Sequence, residues 1–251
     1  MIEVINVNKS FGDNHVLKDV SATFEAGKNN LVIGASGSGK TTLTKCIVGL
    51  HTPNSGEILY DGKDFLQMNL DEKKQIRTEI GFLFQGGALF DSMSVEDNVM
   101  FPLRMFNRDS YKEMRKRVDF CLNRVNLPDT HKLFPSELSG GMKKRVGIAR
   151  AIAMNPKYLF CDEPNSGLDP QTSIVIDQLI SEITHENNIT TVVITHDMNS
   201  VLEIGEKVIF IYKGEKWWEG DRNQILNTDN KEITDFVYAS DFMKSIWEKA
   251  R

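Results

Sequence analysis

Two stretches of this chain have the residue types and spacing to grip phosphate. Gly34-Ala35-Ser36-Gly37-Ser38-Gly39-Lys40-Thr41-Thr42 fits G-x-x-x-x-G-K-[ST]. Its glycines let backbone N–H groups approach anionic oxygens, Lys40 supplies a point charge, and the Thr41 hydroxyl can ligate Mg2+. Leu138-Ser139-Gly140-Gly141-Met142-Lys143-Lys144-Arg145 reads as a loop followed by a helical pattern from Val146 to Met154. A small hydroxyl and two glycines there leave N–H groups bare at the positive end of a helix dipole, a second anion site. Asp162-Glu163 closes the apolar run Tyr158-Leu159-Phe160-Cys161. Acids in that position are costly unless they hold a cation or act on a substrate. Asp162 would reach the Mg2+ and Glu163 would polarise an attacking water. Taken alone, the pair also fits a helix-capping role. His196 and Gln85 each stand just past an apolar run, and singly each reads as an ordinary polar turn residue.

These residues need a frame that brings them together. Leu31-Val32-Ile33, Gly81-Phe82-Leu83-Phe84, Tyr158–Cys161 and Thr191-Val192-Val193-Ile194-Thr195 are short apolar runs that read as buried strands. Gly34, Gln85, Asp162, Glu163 and His196 then stand at carboxyl ends of strands, where parallel α/β sheets bind ligands. Ahead of them, Ile2, Val4 and Val7 predict one strand, and Val16 to Phe24 another. Lys40–Leu50 predicts a helix, and Asp61-Gly62 a hairpin turn after Glu57–Tyr60. Residues 95–130 are helical in pattern and basic, with Arg104, Arg108, Lys112, Arg115, Lys116, Arg117 and Arg124. The interleaved Asp109, Glu113 and Asp119 favour a solvated helix face over a surface for lipid headgroups or RNA.

Composition sets outer bounds. The 251 residues carry a net charge of −5, with 40 % apolar and 26 % charged residues, as in a soluble globular chain. A basic footprint is missing, which argues against nucleic-acid binding. No apolar run approaches the ~20 residues that span a bilayer. Met1-Ile2-Glu3-Val4-Ile5 lacks the basic and apolar regions of a secretory signal. Cys46, Cys121 and Cys161 form no C-x-x-C pair and read as reduced buried thiols of a cytosolic protein.

The motifs Gly34–Thr41, Gln85, Leu138-Ser139-Gly140-Gly141, Phe160-Cys161-Asp162-Glu163, Ser166-Gly167-Leu168-Asp169 and His196 occur in the order of an ATP-binding-cassette (ABC) ATPase, and residues 2–222 resemble that family. The resemblance implies a P-loop NTPase α/β fold: a RecA-like core, an N-terminal antiparallel β-subdomain, and an α-helical subdomain inserted at about 90–150. It implies a nucleotide-binding domain at 1–228 and a subunit-docking tail at 229–251. It also implies ATP and Mg2+ as cofactors. Phe11 would stack on adenine beside Val16, and Gly34 to Thr42 would hold the phosphates. Thr41, Gln85 and Asp162 would hold the metal. Glu163 would be the base, His196 the switch histidine, and Asp169 part of a loop crossing between subunits. Ser139, Gly140 and Gly141 would bind ATP held by another copy of the chain, in a head-to-tail dimer.

One cassette with no spanning segment implies transmembrane permease subunits on other chains, with this chain peripheral on the cytoplasmic face of the inner membrane. Phe134-Pro135-Ser136-Glu137 resembles importer-type cassettes. Phe84-Gln85-Gly86-Gly87-Ala88-Leu89-Phe90-Asp91-Ser92-Met93-Ser94-Val95 and the signature with Met142 and Lys143-Lys144-Arg145 resemble the Mla-type ATPases, which move phospholipid between the membranes of diderm bacteria. That likeness implies a phospholipid cargo, a periplasmic lipid-binding subunit and a small cytoplasmic accessory subunit. Other lipid, lipoprotein or small-solute cargoes, and a soluble ATPase that remodels protein or nucleic acid, are the alternatives. Met142 replaces the usual Gln, a loss of about 0.5–1.5 kcal/mol if one hydrogen bond goes. Asn165 stands where many cassettes have Thr. Ile233, Phe236, Val237, Met243 and Trp247 recur at helical spacing, with Phe242 and Ile246 beside them. They fit either a helix packed on its own domain or a tail docked on a partner.

Overall fold

The computed structural model describes residues 1–107 and 109–238. Two sheets organise the chain. The smaller one is antiparallel, in the order β2 (Asn14–Phe24), β1 (Ile2–Phe11), β4 (Ser55–Tyr60), β5 (Lys63–Asp64). The larger has six strands in the order β10 (Glu215–Gly220), β9 (Lys207–Tyr212), β3 (Asn29–Ile33), β8 (Thr190–Thr195), β7 (Tyr158–Asp162), β6 (Ile80–Leu83). Strands β9, β3, β8, β7 and β6 run parallel, and β10 closes the edge antiparallel.

The central strands are apolar on both faces because each face is covered. Along β3, Leu31 and Ile33 join one core and Val32 the other. The first core lies under the helices α3 (Val95–Phe106), α4 (Tyr111–Arg124), α5 (Gly140–Ile152), α6 (Pro170–Glu186) and α7 (Met198–Ile204). The second is sealed by the antiparallel sheet and α1 (Lys40–Ile47), with Ile2, Phe24, Leu43 and Tyr60 buried in it. Helix α2 (Leu70–Thr78) starts on a capping box between Asn69 and Glu72.

Most predicted strands lie within one to three residues of these bounds, but β1 runs on to Phe11 because Ser10 and Phe11 pair with His15 and Asn14 of β2. The helix predicted to run to Leu50 ends at Ile47, because the chain turns at Val48 and Gly49 (φ 76°). Asp61 (φ 49°) and Gly62 (φ 80°) make the predicted turn between β4 and β5. Helices α3, α4 and α5 lie between β6 and β7. Several arginines of the basic run are engaged within the chain. Arg104 pairs with Asp97, Arg115 with Glu96 and Asp119, and Arg124 with Glu182 and Glu186. Arg117 donates to the carbonyls of Ile152 and Ala153 at the end of α5. Arg108 lies outside the described residues. The three cysteines are free and buried.

In the tail, α8 (Lys231–Val237) buries Ile233 and Val237 in the first core, and Phe236 packs on Phe210 with ring centroids 5.3 Å apart. This part of the tail packs on its own domain. Phe242, Met243, Ile246 and Trp247 lie outside the described residues, so the docking alternative falls there.

Candidate active site

The parallel register places the chemistry at one edge. The ends of β3, β8, β7 and β6 stand side by side there, so Gly34, His196, Asp162 with Glu163, and Gln85 leave the sheet on the same side. Between β3 and α1 the chain forms the loop Gly34 to Gly39. At Gly34 (φ 146°) a Cβ would come within 2.2 Å of the Ile211 carbonyl oxygen, so only glycine fits. Helix α1 has no side-chain cap, since its cap residue is Gly39, which leaves its first N–H groups open to an anion. The β9–β10 turn braces the loop, with Gly214 N–H donating to the Ser38 carbonyl at 3.1 Å.

Lys40 is buried, and its Nζ donates to the carbonyls of Gly34 (2.8 Å) and Ala35 (3.0 Å). Burial lowers its pKa, opposed by the charges of Glu163 and Asp162. Thr41 is exposed and Thr42 half-buried. Asp162 ends β7 half-buried. Burial and the neighbouring Glu163 charge raise its pKa, while Lys45, Lys40 and Lys144 pull it down. Its carboxylate has no hydrogen-bond or ion-pair partner among the described residues. Among those residues no group of three or more His, Cys, Asp or Glu side chains could enclose a metal. The set Thr41, Asp162 and Gln85 instead suits Mg2+, which takes one or two carboxylates and completes its shell with phosphate and water.

Glu163 adopts φ 49°, a conformation uncommon for a residue with a side chain. Its backbone is held on both sides: its N–H donates to Ile194 O at 2.9 Å, and its carbonyl accepts from Lys144 Nζ at 3.1 Å. Strain of about 1–3 kcal/mol is typical of such a residue and concentrates at functional positions. The Glu163 carboxylate meets His196, with Oε1 2.8 Å from Nδ1. An ionised carboxylate accepts only, which makes Nδ1 the protonated ring nitrogen. His196 itself is exposed.

Ser139 caps α5 by accepting from Met142 N–H at 3.2 Å. Gly140 and Gly141 were expected ahead of the helix. They form its first turn instead, because a cap residue hands helical geometry to the residues after it. Ser139 and Gly140 are exposed, and Leu168 and Thr172 stand against the two glycines. Met142 packs against the first core, which accounts for an apolar residue there. Phe11 is exposed, edge-on to His51 at 5.3 Å, with Lys9 Nζ 4.9 Å from its ring centre. Half-buried Val16 adjoins the phosphate loop, its carbonyl oxygen 3.1 Å from where a Cβ on Gly39 would sit.

Gln85 is exposed beyond β6, and the loop that follows it is tied to α5. Arg150 donates to the carbonyls of Gly87 (2.8 Å) and Ala88 (2.9 Å). Next to this loop an apolar groove of about 330 Å3 is lined by Ile80, Phe82, Phe84, Phe90, Phe101 and Met154. Lys144 and Arg150 are site-shaping residues that sequence reasoning missed. Lys144 lies in the run that reads as a loop and Arg150 in the helical pattern after it, and only the packing of α5 under Glu163 and the Gln85 loop gives them partners.

Known proteins share this arrangement. A family model described as "ABC transporter" matches residues 17–166. The Mycobacterium tuberculosis "Probable ribonucleotide transport ATP-binding protein mkl" is 38 % identical over 236 residues, covering 94 % of this chain. The chain spans 66 % of that relative's length, just under two thirds. The Campylobacter jejuni "Methionine import ATP-binding protein MetN" is also 38 % identical, over 97 % of this chain and 77 % of its own length. Among solved structures, the dimeric post-hydrolysis state of the ATP-binding cassette MJ0796, bound to ADP and Pi, superposes with a TM-score of 0.80. It is 35 % identical and covers 88 % of this chain and 99 % of its own. The fold, the phosphate loop and these relatives agree: the chain belongs to the ABC transporter family, as an ATP-binding ATPase cassette.

Proposed function

We propose that this cassette hydrolyses ATP to drive a separate membrane permease that moves phospholipid between membranes. The observation that carries the ATPase role is the meeting of Lys40, Asp162 and the strained Glu163–His196 pair at one sheet edge. Lys40 and the loop N–H groups bind the β- and γ-phosphates, Phe11 and Val16 flank the base, and Thr41, Asp162 and Gln85 hold Mg2+. That ion neutralises charge on the phosphates when bound. Glu163 orients and deprotonates the attacking water, and His196 holds the carboxylate in place. Ser139, Gly140 and Gly141 close over ATP on a second copy, head to tail.

ATP-driven closure then has a route outward. Arg150 fastens the Gln85 loop to the helix that Ser139 caps, so closure of the dimer displaces the apolar groove beside Phe84 and Phe90. A permease helix fits that groove. No helix among the described residues is long and apolar enough to cross a membrane, consistent with a peripheral cassette on the cytoplasmic face. Identity alone does not choose the cargo, since relatives equally similar at 38 % carry names for ribonucleotide and methionine transport. The phospholipid reading rests on the Mla-like segment from Phe84 to Val95 and on Met142. It brings a periplasmic lipid-binding subunit and a small accessory subunit as partners. Affinity purification of the tagged chain from membranes tests it. Co-purification of a permease, a lipid-binding subunit and phospholipid is expected, and a complex holding a solute-binding subunit and no lipid would overturn the cargo.

A further inference from the structure

We propose that Asn165 and Ser200, set against the buried Asp177, are positioning residues that lock the loop carrying Glu163 to the helix following His196, and so set the geometry of the catalytic pair. The inference rests on the ATPase reading above and extends it to three side chains outside the nucleotide motifs.

The three residues come from three elements. Asn165 lies two residues past Glu163, Ser200 sits in the first turn of α7 four residues past His196, and Asp177 faces inward from the second turn of α6. Asn165 Nδ2 donates to Ser200 Oγ at 2.9 Å. The Asp177 carboxylate lies beside this pair, and both side chains offset part of the rise that burial imposes on its pKa. All three are buried: Ser200 is 0 % exposed, Asp177 2 % and Asn165 8 %.

Two features argue that this cluster is more than filling. First, it is expensive. Asp177 Oδ1 and Asn165 Oδ1 are buried without partners. The charges acting on Asp177 from α7 are Asp197 and Glu203, both of its own sign. A buried acid without a cation costs stability, and such costs persist where function needs the geometry. Second, packing alone does not hold the loop. A cavity of about 410 Å3, lined by Asn165 and Asp177 themselves with Leu168, Pro170, Ile174 and Leu202, lies between the loop and helices α6 and α7. The Asn165–Ser200 hydrogen bond is the side-chain link between the loop and α7. Without it, the Glu163 N–H bond to Ile194 and the carboxylate–imidazole contact would have to hold the pair in register, and misplacement of a base by about 1 Å costs on the order of a hundredfold in rate.

The test measures ATP hydrolysis by the purified chain, with nucleotide binding and melting temperature followed in parallel. Ser200→Ala should lower kcat about tenfold with KM for ATP changed less than about twofold, and Ser200→Thr, which keeps the hydroxyl, should recover most of it. Val201→Ala removes a buried neighbour on α7 that is outside the cluster. It should lower the melting temperature and keep kcat within about twofold of wild type. Should Ser200→Ala fail to fold, Asn165→Leu, close in volume, should show the same loss confined to kcat. A Ser200→Ala kcat within about twofold of wild type, or an equal loss in Val201→Ala, overturns the proposal. Lys40→Ala serves as the control for the underlying reading: wild-type turnover in that variant would sink the ATPase assignment itself.

Discussion

At the residue scale, Glu163 and Asp177 are two acids under opposite demands. Glu163 has a strained backbone pinned by Ile194 and Lys144, so its carboxylate is aimed before substrate arrives. Glu163→Gln keeps the shape and the bond to His196 and removes the base. Turnover should fall by about 10²–10⁴-fold with ATP binding retained, and single-turnover hydrolysis at normal speed would exclude Glu163 as the base. Asp177 is pushed up to about 6, chiefly by burial. The folded chain therefore holds this proton more tightly than the unfolded chain, whose Asp titrates near 3.9. That contribution to stability is complete below about pH 4 and is lost as pH rises through about 6. Asp177→Asn removes the liability. It should raise unfolding stability at pH 8 by up to about 3 kcal/mol and flatten the pH dependence between about 4 and 6 in denaturant titrations. Equal stability of variant and wild type at pH 8 would contradict the burial cost. The residues proposed to bind nucleotide were legible in the sequence because fixed spacing on a strand–loop–helix encodes them. Asn165, Lys144 and Ser200 were not, since each acquires its role from a partner 19 or more positions away. Asp177 left one trace, an acid at helical spacing from the buried Ser173, Ile180 and Thr184.

At the element scale, the loop from Gln85 to Ser94 shows how irregular backbone is held in a fixed shape. Asn98, fully buried on α3, accepts from Phe90 N–H at 2.8 Å. It donates to the carbonyls of Phe90, Met93 and Ser94 at 3.0–3.1 Å. One side chain thus ties one N–H and three carbonyls of the loop to α3. Asn98→Ala should cost about 2–3 kcal/mol, a drop in melting temperature of roughly 5–10 °C. It should also weaken recovery of the permease from membranes, because Phe90 loses its place in the groove. A variant that melts early but recovers permease normally would separate the loop's stability from docking. The strands were readable as apolar runs because the parallel sheet is covered on both faces. The end of α1 was misplaced by three residues and the start of α5 by six. Local turn geometry at Val48–Gly49 and capping by Ser139 decided those boundaries, and an apolar pattern does not register them.

At the scale of the whole molecule, the two anion sites belong to one chain but open to solvent separately. Ser139 and Gly140 are exposed at the start of α5, while Lys40 is buried at the start of α1, just past the loop after β3. A head-to-tail dimer about a two-fold axis would pair each phosphate loop with the partner's α5 start, giving two composite sites. The dimer of the cassette MJ0796, with a TM-score of 0.80 to this chain, makes that symmetry the natural expectation. Composite sites have a consequence that separate sites lack. A Lys40→Ala chain damages only sites built on its own loop, and a Ser139→Tyr chain damages only sites on its partner's loop. Each variant alone should be inactive. Mixed in equal amounts, half the dimers would carry one of each, and each such dimer would keep one intact site, built from the Lys40 of one chain and the Ser139 of the other. Site occupancy should recover to about one quarter of wild type, read as ATP trapped in the closed dimer with Glu163→Gln present in both chains. If each site were made by one chain alone, mixing would restore nothing, because every loop and every α5 start would remain paired with its own damaged counterpart.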